Sequence, residues 1–134
     1  MTLTMLDTNV VSHLIRDDVP TLRAKLLAIP MHQVAISSVT QAELMYGLLK
    51  RGRPKKLEEK IVAFLARVQV LAWTREVSNV YAVVRTDCEA VGVTLEPFDM
   101  MIAAHAVAAG AVLVTRDKAF SHVQSGLKVE DWTS

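Results

Sequence analysis

The sequence predicts an α/β fold with a mostly parallel sheet and helices on both faces. Two observations carry this. Short runs of apolar, often β-branched residues alternate along the chain with longer segments patterned at helical spacing. The segments between successive runs are long enough to cross over a sheet, so parallel neighbours are favoured over hairpins. A third observation concerns function. Four acids, Asp7, Glu43, Asp99 and Asp117, each sit just past an apolar run, or one turn beyond it.

The elements follow in order. Leu3–Leu6 reads as a short buried strand. Asp7-Thr8-Asn9 is a turn and helix cap, and Val10–Ile15 opens the helix. Asp17-Asp18-Val19-Pro20 breaks that helix, and Thr21–Ala28 forms a second, stopped at Ile29-Pro30. Gln33–Ser38 is a strand, followed by a helix over Thr40–Leu49 with Leu44, Tyr46 and Leu48 placed for a buried face. Lys50 to Lys56 is a basic turn, and Leu57–Arg67 is amphipathic. Val68–Trp73 reads as a strand, Thr74 as an N-cap, and Arg75–Val91 as a long helix ending at Gly92. Val93–Phe98 is a loop, Asp99 caps Met100–Ala109, and Gly110 ends that helix. Ala111–Thr115 is a strand, Lys118–His122 a helical turn, and Leu127–Asp131 an edge strand. Strand order does not follow from this pattern.

The chain has 134 residues, the size of one domain, so residues 1–134 are read as a single unit. Its apolar fraction of 51% suits a well-packed core with some apolar surface left for a partner. Net charge is +1, so any nucleic-acid contact must come from a local patch. Aromatics make up only 5%, which argues against base-stacking platforms. Cys88 is the only cysteine, which excludes an internal disulfide and a thiolate metal site and fits a reducing cytosol. The start of the chain carries no basic leader, and no apolar stretch is long enough to span a bilayer.

Each acid has a local explanation. Asp7 and Asp99 are at cap positions, Thr40-Gln41-Ala42-Glu43 fits a capping box, and Asp117 suits a turn. Jointly they point elsewhere. The carboxyl ends of parallel strands line one crevice, where ligands bind. Carboxylates gathered there repel one another unless a hard divalent cation neutralises them. Mg²⁺ or Mn²⁺ held by Asp7, Glu43, Asp99 and Asp117 would polarise a scissile phosphate and acidify an attacking water. One ion and two both suit four carboxylates. Thr8, Asn9, Ser38 and Thr115 add hydroxyl and amide groups at the same edge, able to orient those carboxylates. No phosphate-binding loop of the Gly-x-x-x-x-Gly-Lys-Ser/Thr kind is present. Arg53 and Lys55 in the basic turn, and Arg116 beside Asp117, are candidates to hold phosphates, although a solvated loop explains the turn as simply. His105, among alanines, reads as a packed or interfacial histidine, and His13, His32 and His122 show no metal spacing. Val10, Val11 and Leu14 with Tyr46, Leu48 and Leu49 are candidates for an apolar partner groove.

At these positions the chain resembles the PIN-domain ribonucleases, and within them the VapC type of toxin from bacterial type II toxin–antitoxin pairs. The matching stretches are Met5-Leu6-Asp7-Thr8-Asn9, then Ile36-Ser37-Ser38 through Glu43 to Gly47, then Pro97-Phe98-Asp99 through His105-Ala106, and Gly110 through Thr115-Arg116-Asp117. Phe120 and Val129-Glu130-Asp131-Trp132 match as well, so the likeness runs through the whole chain. It implies a three-layer α/β/α sandwich and Mg²⁺- or Mn²⁺-dependent endonucleolytic cleavage of RNA, often of a structured RNA such as tRNA. It also implies a bacterial cytoplasmic protein that forms a homodimer, or a larger toxin–antitoxin assembly, inhibited by a small antitoxin. By position Asp7, Glu43 and Asp99 match the family's core acids, and Asp117 matches a more variable fourth. Two other readings compete. Receiver and haloacid-phosphatase domains also place Asp at strand ends, but the first wants paired acids and the second an Asp where Asn9 stands. A non-catalytic PIN-like module binding protein or RNA is the alternative, opposed by retention of all four acids.

Overall fold

The computed structural model describes residues 2–133. Met1 and Ser134, the ends of the unit read from the sequence, lie outside the described residues. Five strands form one sheet, β1 (Thr4–Leu6), β2 (Val34–Ser37), β3 (Gln69–Leu71), β4 (Val112–Val114) and β5 (Lys128–Glu130). Their order is β3-β2-β1-β4-β5, and every pairing is parallel. The connections are α1 (Thr8–Arg16) and α2 (Pro20–Leu27) after β1, α3 (Ser38–Lys50) and α4 (Lys55–Arg67) after β2, and α5 (Arg75–Ala90) and α6 (Pro97–Ala109) after β3. Short 3₁₀ turns cover Met31–Gln33 and Lys118–His122.

Alternation along the strands divides the core in two. Met5 and Leu113 pack with Ile102, Ala103, Ala106 and Phe120 on the α5–α6 side. Leu6, Ile36 and Val114 pack with Val10, Leu22, Leu48 and Ile61 on the side of α1 to α4. Adjacent strand residues thus serve opposite faces, and helices cover both, which makes the α/β/α sandwich. No helix among the described residues is long and apolar enough to cross a membrane.

Several local expectations shift. β2 ends at Ser37, because Ser37 itself caps α3, accepting the Val39 amide at 3.0 Å. Helix α3 therefore starts at Ser38, Thr40 lies inside it, and the Thr40–Glu43 capping box does not form. Thr40 is fully buried and its hydroxyl meets that of Thr8 at 3.0 Å. Helix α1 begins at Thr8, with Asp7 its N-cap accepting the Val10 amide at 2.8 Å. Asp99 is not the cap of α6. The helix takes in Pro97 and Phe98, Glu96 stands at the N-cap, and Asp99 falls in the first turn. Pro97 explains this, since proline is at home in a first helical turn. Tyr46 is 65% exposed, so it leaves the buried face that Leu44 and Leu48 make.

Gly110 ends α6 at φ +64°, a left-handed conformation that costs an L side chain about 1 kcal/mol or more. A Cβ there would meet nothing within 4 Å. Gly110→Ala is therefore expected to lower unfolding stability by about 1 kcal/mol through backbone conformation alone. Urea denaturation checks this.

Candidate functional site

Chain order and sheet order together make the site. β2 and β3 lie on one side of β1, and the chain then crosses to place β4 and β5 on the other. The crevice between β1 and β4 is thus the topological switch point, where open parallel sheets bind ligands at their carboxyl ends. Asp7 follows β1 there, its amide bonded to the Val114 carbonyl at 3.1 Å. Thr115, Arg116 and Asp117 follow β4. Glu43 enters from the second turn of α3 and Asp99 from the first turn of α6.

Each carboxylate is held by its own element. Asp7 is 3% exposed, caps α1, and takes a hydrogen bond from Thr115. Glu43 Oε1 accepts the Thr8 hydroxyl at 2.7 Å, and Thr40 backs Thr8, so a hydroxyl chain runs from α3 through α1 to the carboxylate. Asp117 caps the following 3₁₀ turn by accepting the Ala119 amide at 2.9 Å, while its own amide donates to the Thr115 hydroxyl at 3.0 Å. Thr115 thereby ties Asp117 to Asp7. Asn9 is exposed on α1 and Ser38 half-buried at the start of α3, and neither makes a side-chain hydrogen bond among the described residues.

The acids influence one another electrostatically. Burial pushes the Asp7 carboxyl up, and the charges of Asp117 and Glu43 push the same way against the Thr115 and Val10 hydrogen bonds. Asp99 is pushed up to about 6, by burial first and then by Glu96, Asp7, Asp117 and Glu43. No ion pair among the described residues involves any of these acids. Carboxylates without a counter-cation are the kind of oxygen donor that suits a hard divalent ion. The side chains do not form a closed cage. Among the described residues no three His, Cys, Asp or Glu side chains converge into a ready-made ligand group. Like charges without a counter-ion stand apart for this reason. The residues present fit an oxygen-ligated cation such as Mg²⁺ or Mn²⁺ that gathers its ligands on binding.

Sequence reasoning missed three contributors. Glu96 is the largest charge acting on Asp99. Its signal was an acid directly before the proline that opens α6. Ser37 and His105 are the others. His105 is 2% exposed, and its Nδ1 shares a 2.7 Å hydrogen bond with Ser37 Oγ. Trp73 packs edge-on against it with centroids 5.5 Å apart. Burial lowers the His105 pKa, which keeps the ring neutral. The pair locks the cap of the helix that carries Glu43 to the helix that carries Asp99. His105→Ala is expected to lower stability by about 2–3 kcal/mol, from lost packing plus the lost buried hydrogen bond to Ser37. A change within about 0.5 kcal/mol in urea unfolding would contradict the lock.

The basic candidates divide. Arg53 adopts φ +57° and gives a two-pronged pair to Glu58 at 3.2 and 2.7 Å, so its charge is already matched. Lys55 is exposed at the start of α4. Arg116 is exposed and turns toward α1. In the suggested partner groove Val10, Val11 and Leu48 are core residues, while Tyr46 and Leu49 are exposed.

An all-parallel sheet with an acidic switch-point crevice defines a class. The PIN domain profile matches residues 4–125, and the chain belongs to the PIN-domain family. Within it the chain groups with the VapC proteins. It is 32% identical to "Ribonuclease VapC2" of Rickettsia felis, over 96% of each chain. It is also 32% identical to "tRNA(fMet)-specific endonuclease VapC" of Shigella flexneri, over 96% of this chain and 97% of that one. Among solved structures it matches the Rickettsia felis VapBC2 complex bound to promoter DNA, with TM-score 0.90 and 29% identity over 98% of this chain and 99% of that one. DNA-bound VapBC from Salmonella typhimurium matches equally, at TM-score 0.90 and 30% identity over the same shares.

Proposed function

We propose that the protein is a metal-dependent endoribonuclease, the toxin of a toxin–antitoxin pair, with tRNA as the RNA it cuts. One observation carries this. Asp7, Glu43 and Asp117, from separate stretches of the chain, are near enough for their charges to act on Asp99. The names of the VapC relatives support a ribonuclease and, for one of them, tRNA as substrate. The VapBC complexes support an antitoxin partner.

Asp7, Glu43, Asp99 and Asp117 would hold Mg²⁺ or Mn²⁺. When bound, the ion supplies positive charge at the scissile phosphate and makes an attacking water more acidic. The chain's own residues do the rest. Thr115 orients Asp7, and Thr8 orients Glu43. Arg116 and Lys55 would hold phosphates flanking the cut. Arg53 already has Glu58. A groove between α1, α2 and α4, lined by Leu14, Leu26, Leu27 and Phe64 and rimmed by Arg23 and Arg67, suits an amphipathic antitoxin segment. A homodimer in the bacterial cytoplasm completes the proposal.

Incubation with unfractionated tRNA tests this. Discrete fragments are expected with Mg²⁺ and none with EDTA, and addition of the cognate antitoxin should stop cleavage. Equal cutting in EDTA would contradict metal dependence, and intact tRNA in Mg²⁺ would contradict the substrate.

A further inference from the structure

His13, on the second turn of the helix that Asp7 caps, joins Arg16 and Asp18 of its own stretch to Arg116 beyond β4. Its Nε2 lies 3.0 Å from a guanidinium nitrogen of Arg116, 103 positions away. Its Nδ1 lies 2.8 Å from a carboxylate oxygen of Asp18. Arg16 braces the other Asp18 oxygen, with its Nε at 3.3 Å. The partners fix the protons. A guanidinium only donates, so the nitrogen facing Arg116 is the one with the lone pair. Nδ1 faces two groups, a guanidinium nitrogen of Arg16 at 3.2 Å and the nearer Asp18 oxygen at 2.8 Å, and its hydrogen goes to the carboxylate, which only accepts. The result is a directed chain: Asp18 accepts from His13, and His13 accepts from Arg116. The His13 hydrogen bond is also the main reason the Asp18 carboxyl sits below its usual range.

The choice of partner matters. Arg116 lies in sequence between Thr115, which holds Asp7, and Asp117, and its charge also reaches Asp131. A free guanidinium beside so many acids would fold onto them and be neutralised. Yet no ion pair among the described residues joins Arg116 to a carboxylate. A neutral imidazole can orient a guanidinium without cancelling its charge, whereas a carboxylate cannot. Arg53 shows the contrast, since Glu58 takes both prongs of its fork. Arg116 gives one N–H to His13 and keeps its other donors for a planar or tetrahedral anion.

We propose that His13, backed by Asp18, is a positioning residue that holds Arg116 at the rim of the acidic crevice as an arm for an RNA phosphate beside the cut. This rests on the RNA-cleaving reading above.

The test uses the full chain, unfractionated tRNA and two readouts. One is the kinetics of cleavage in Mg²⁺. The other is the salt dependence of tRNA binding to the Asp7→Asn protein, followed by fluorescence anisotropy. His13→Ala and Arg116→Ala are each expected to raise KM about five- to tenfold, with the loss falling on KM rather than kcat. Each should flatten the plot of log affinity against log salt by about 0.7–0.9, the share of one phosphate contact. The double variant should lose no more than either single, because the two residues act as one unit. His13→Gln, whose amide oxygen comes near the place of Nε2, should restore KM, while His13→Asn, which reaches only the place of Nδ1, should not. Wild-type KM and salt slope in His13→Ala would overturn the proposal, as would additive losses in the double variant or failure of the glutamine rescue. If wild type cuts tRNA, Asp7→Asn does not, and His13→Ala matches wild type, the positioning role alone fails. If wild type neither binds nor cuts tRNA, the RNA reading fails and takes this role with it.

Discussion

Asp7→Asn is expected to reduce RNA cleavage by about a thousandfold, or about 4 kcal/mol of transition-state stabilisation. The same change should raise the melting temperature of the metal-free protein. The two effects have one cause. Asp7 is almost fully buried, and burial together with Asp117 and Glu43 disfavours its charge. In the apo fold that charge is a liability, and asparagine removes it. The cap survives, because an asparagine oxygen accepts the Val10 amide as well as aspartate does. What disappears is an anionic ligand for the divalent ion and the charge that holds it. Thermal melts in EDTA and initial rates in Mg²⁺ check the pair. Loss of activity with loss of stability would mean that Asp7 serves the fold alone. Activity within tenfold of wild type would remove it from the metal site.

The second large effect links pH to metal. Unfolded, Asp99 titrates near its ordinary 3.8, and folded it titrates at about 6. Between those values the folded chain binds a proton that the unfolded chain does not. Asp99 therefore favours the fold when protonated, and this contribution is lost as pH rises through about 6. Asp7 shifts in the same direction. The metal-free melting temperature should fall between pH 5 and 7.5 more steeply for wild type than for Asp99→Asn. A divalent ion competes for the same oxygens, so millimolar Mg²⁺ or Mn²⁺ should stabilise the protein far more at pH 7.5 than at pH 5. Identical pH slopes in the two proteins, or a metal effect independent of pH, would contradict the shared crevice.

Much of the fold is legible locally. Alternating apolar runs and helical segments mark all five strands, most clearly β1, β2 and β4, which are buried on both faces, while the edge strands β3 and β5 are half exposed. Asp7, Thr74 and Gly110 act where their chemistry places them, as caps and a left-handed stop. Two starts are displaced for physical reasons. Ser37 and Thr40 are both good caps, and only tertiary packing, with Ser37 against His105 and Thr40 against Thr8, decides between them. Pro97 admits one more turn into α6, which hands the cap to Glu96. The four acids were visible as residues past apolar runs. Which of them lie near one another depends on strand order, which pattern does not encode. The His13–Arg116 contact was out of reach, since nothing local links residues 103 apart.

Asp7, Glu43, Asp99 and Asp117 are proposed to bind divalent metal in common. Crystals soaked in Mn²⁺ and measured for anomalous scattering test it most directly. The expected result is a peak about 2.1–2.2 Å from carboxylate oxygens of Asp7 and Asp99, with Glu43 or Asp117 in its coordination shell. Full Mn²⁺ occupancy elsewhere, with these carboxylates left apart as in the metal-free fold, would contradict it.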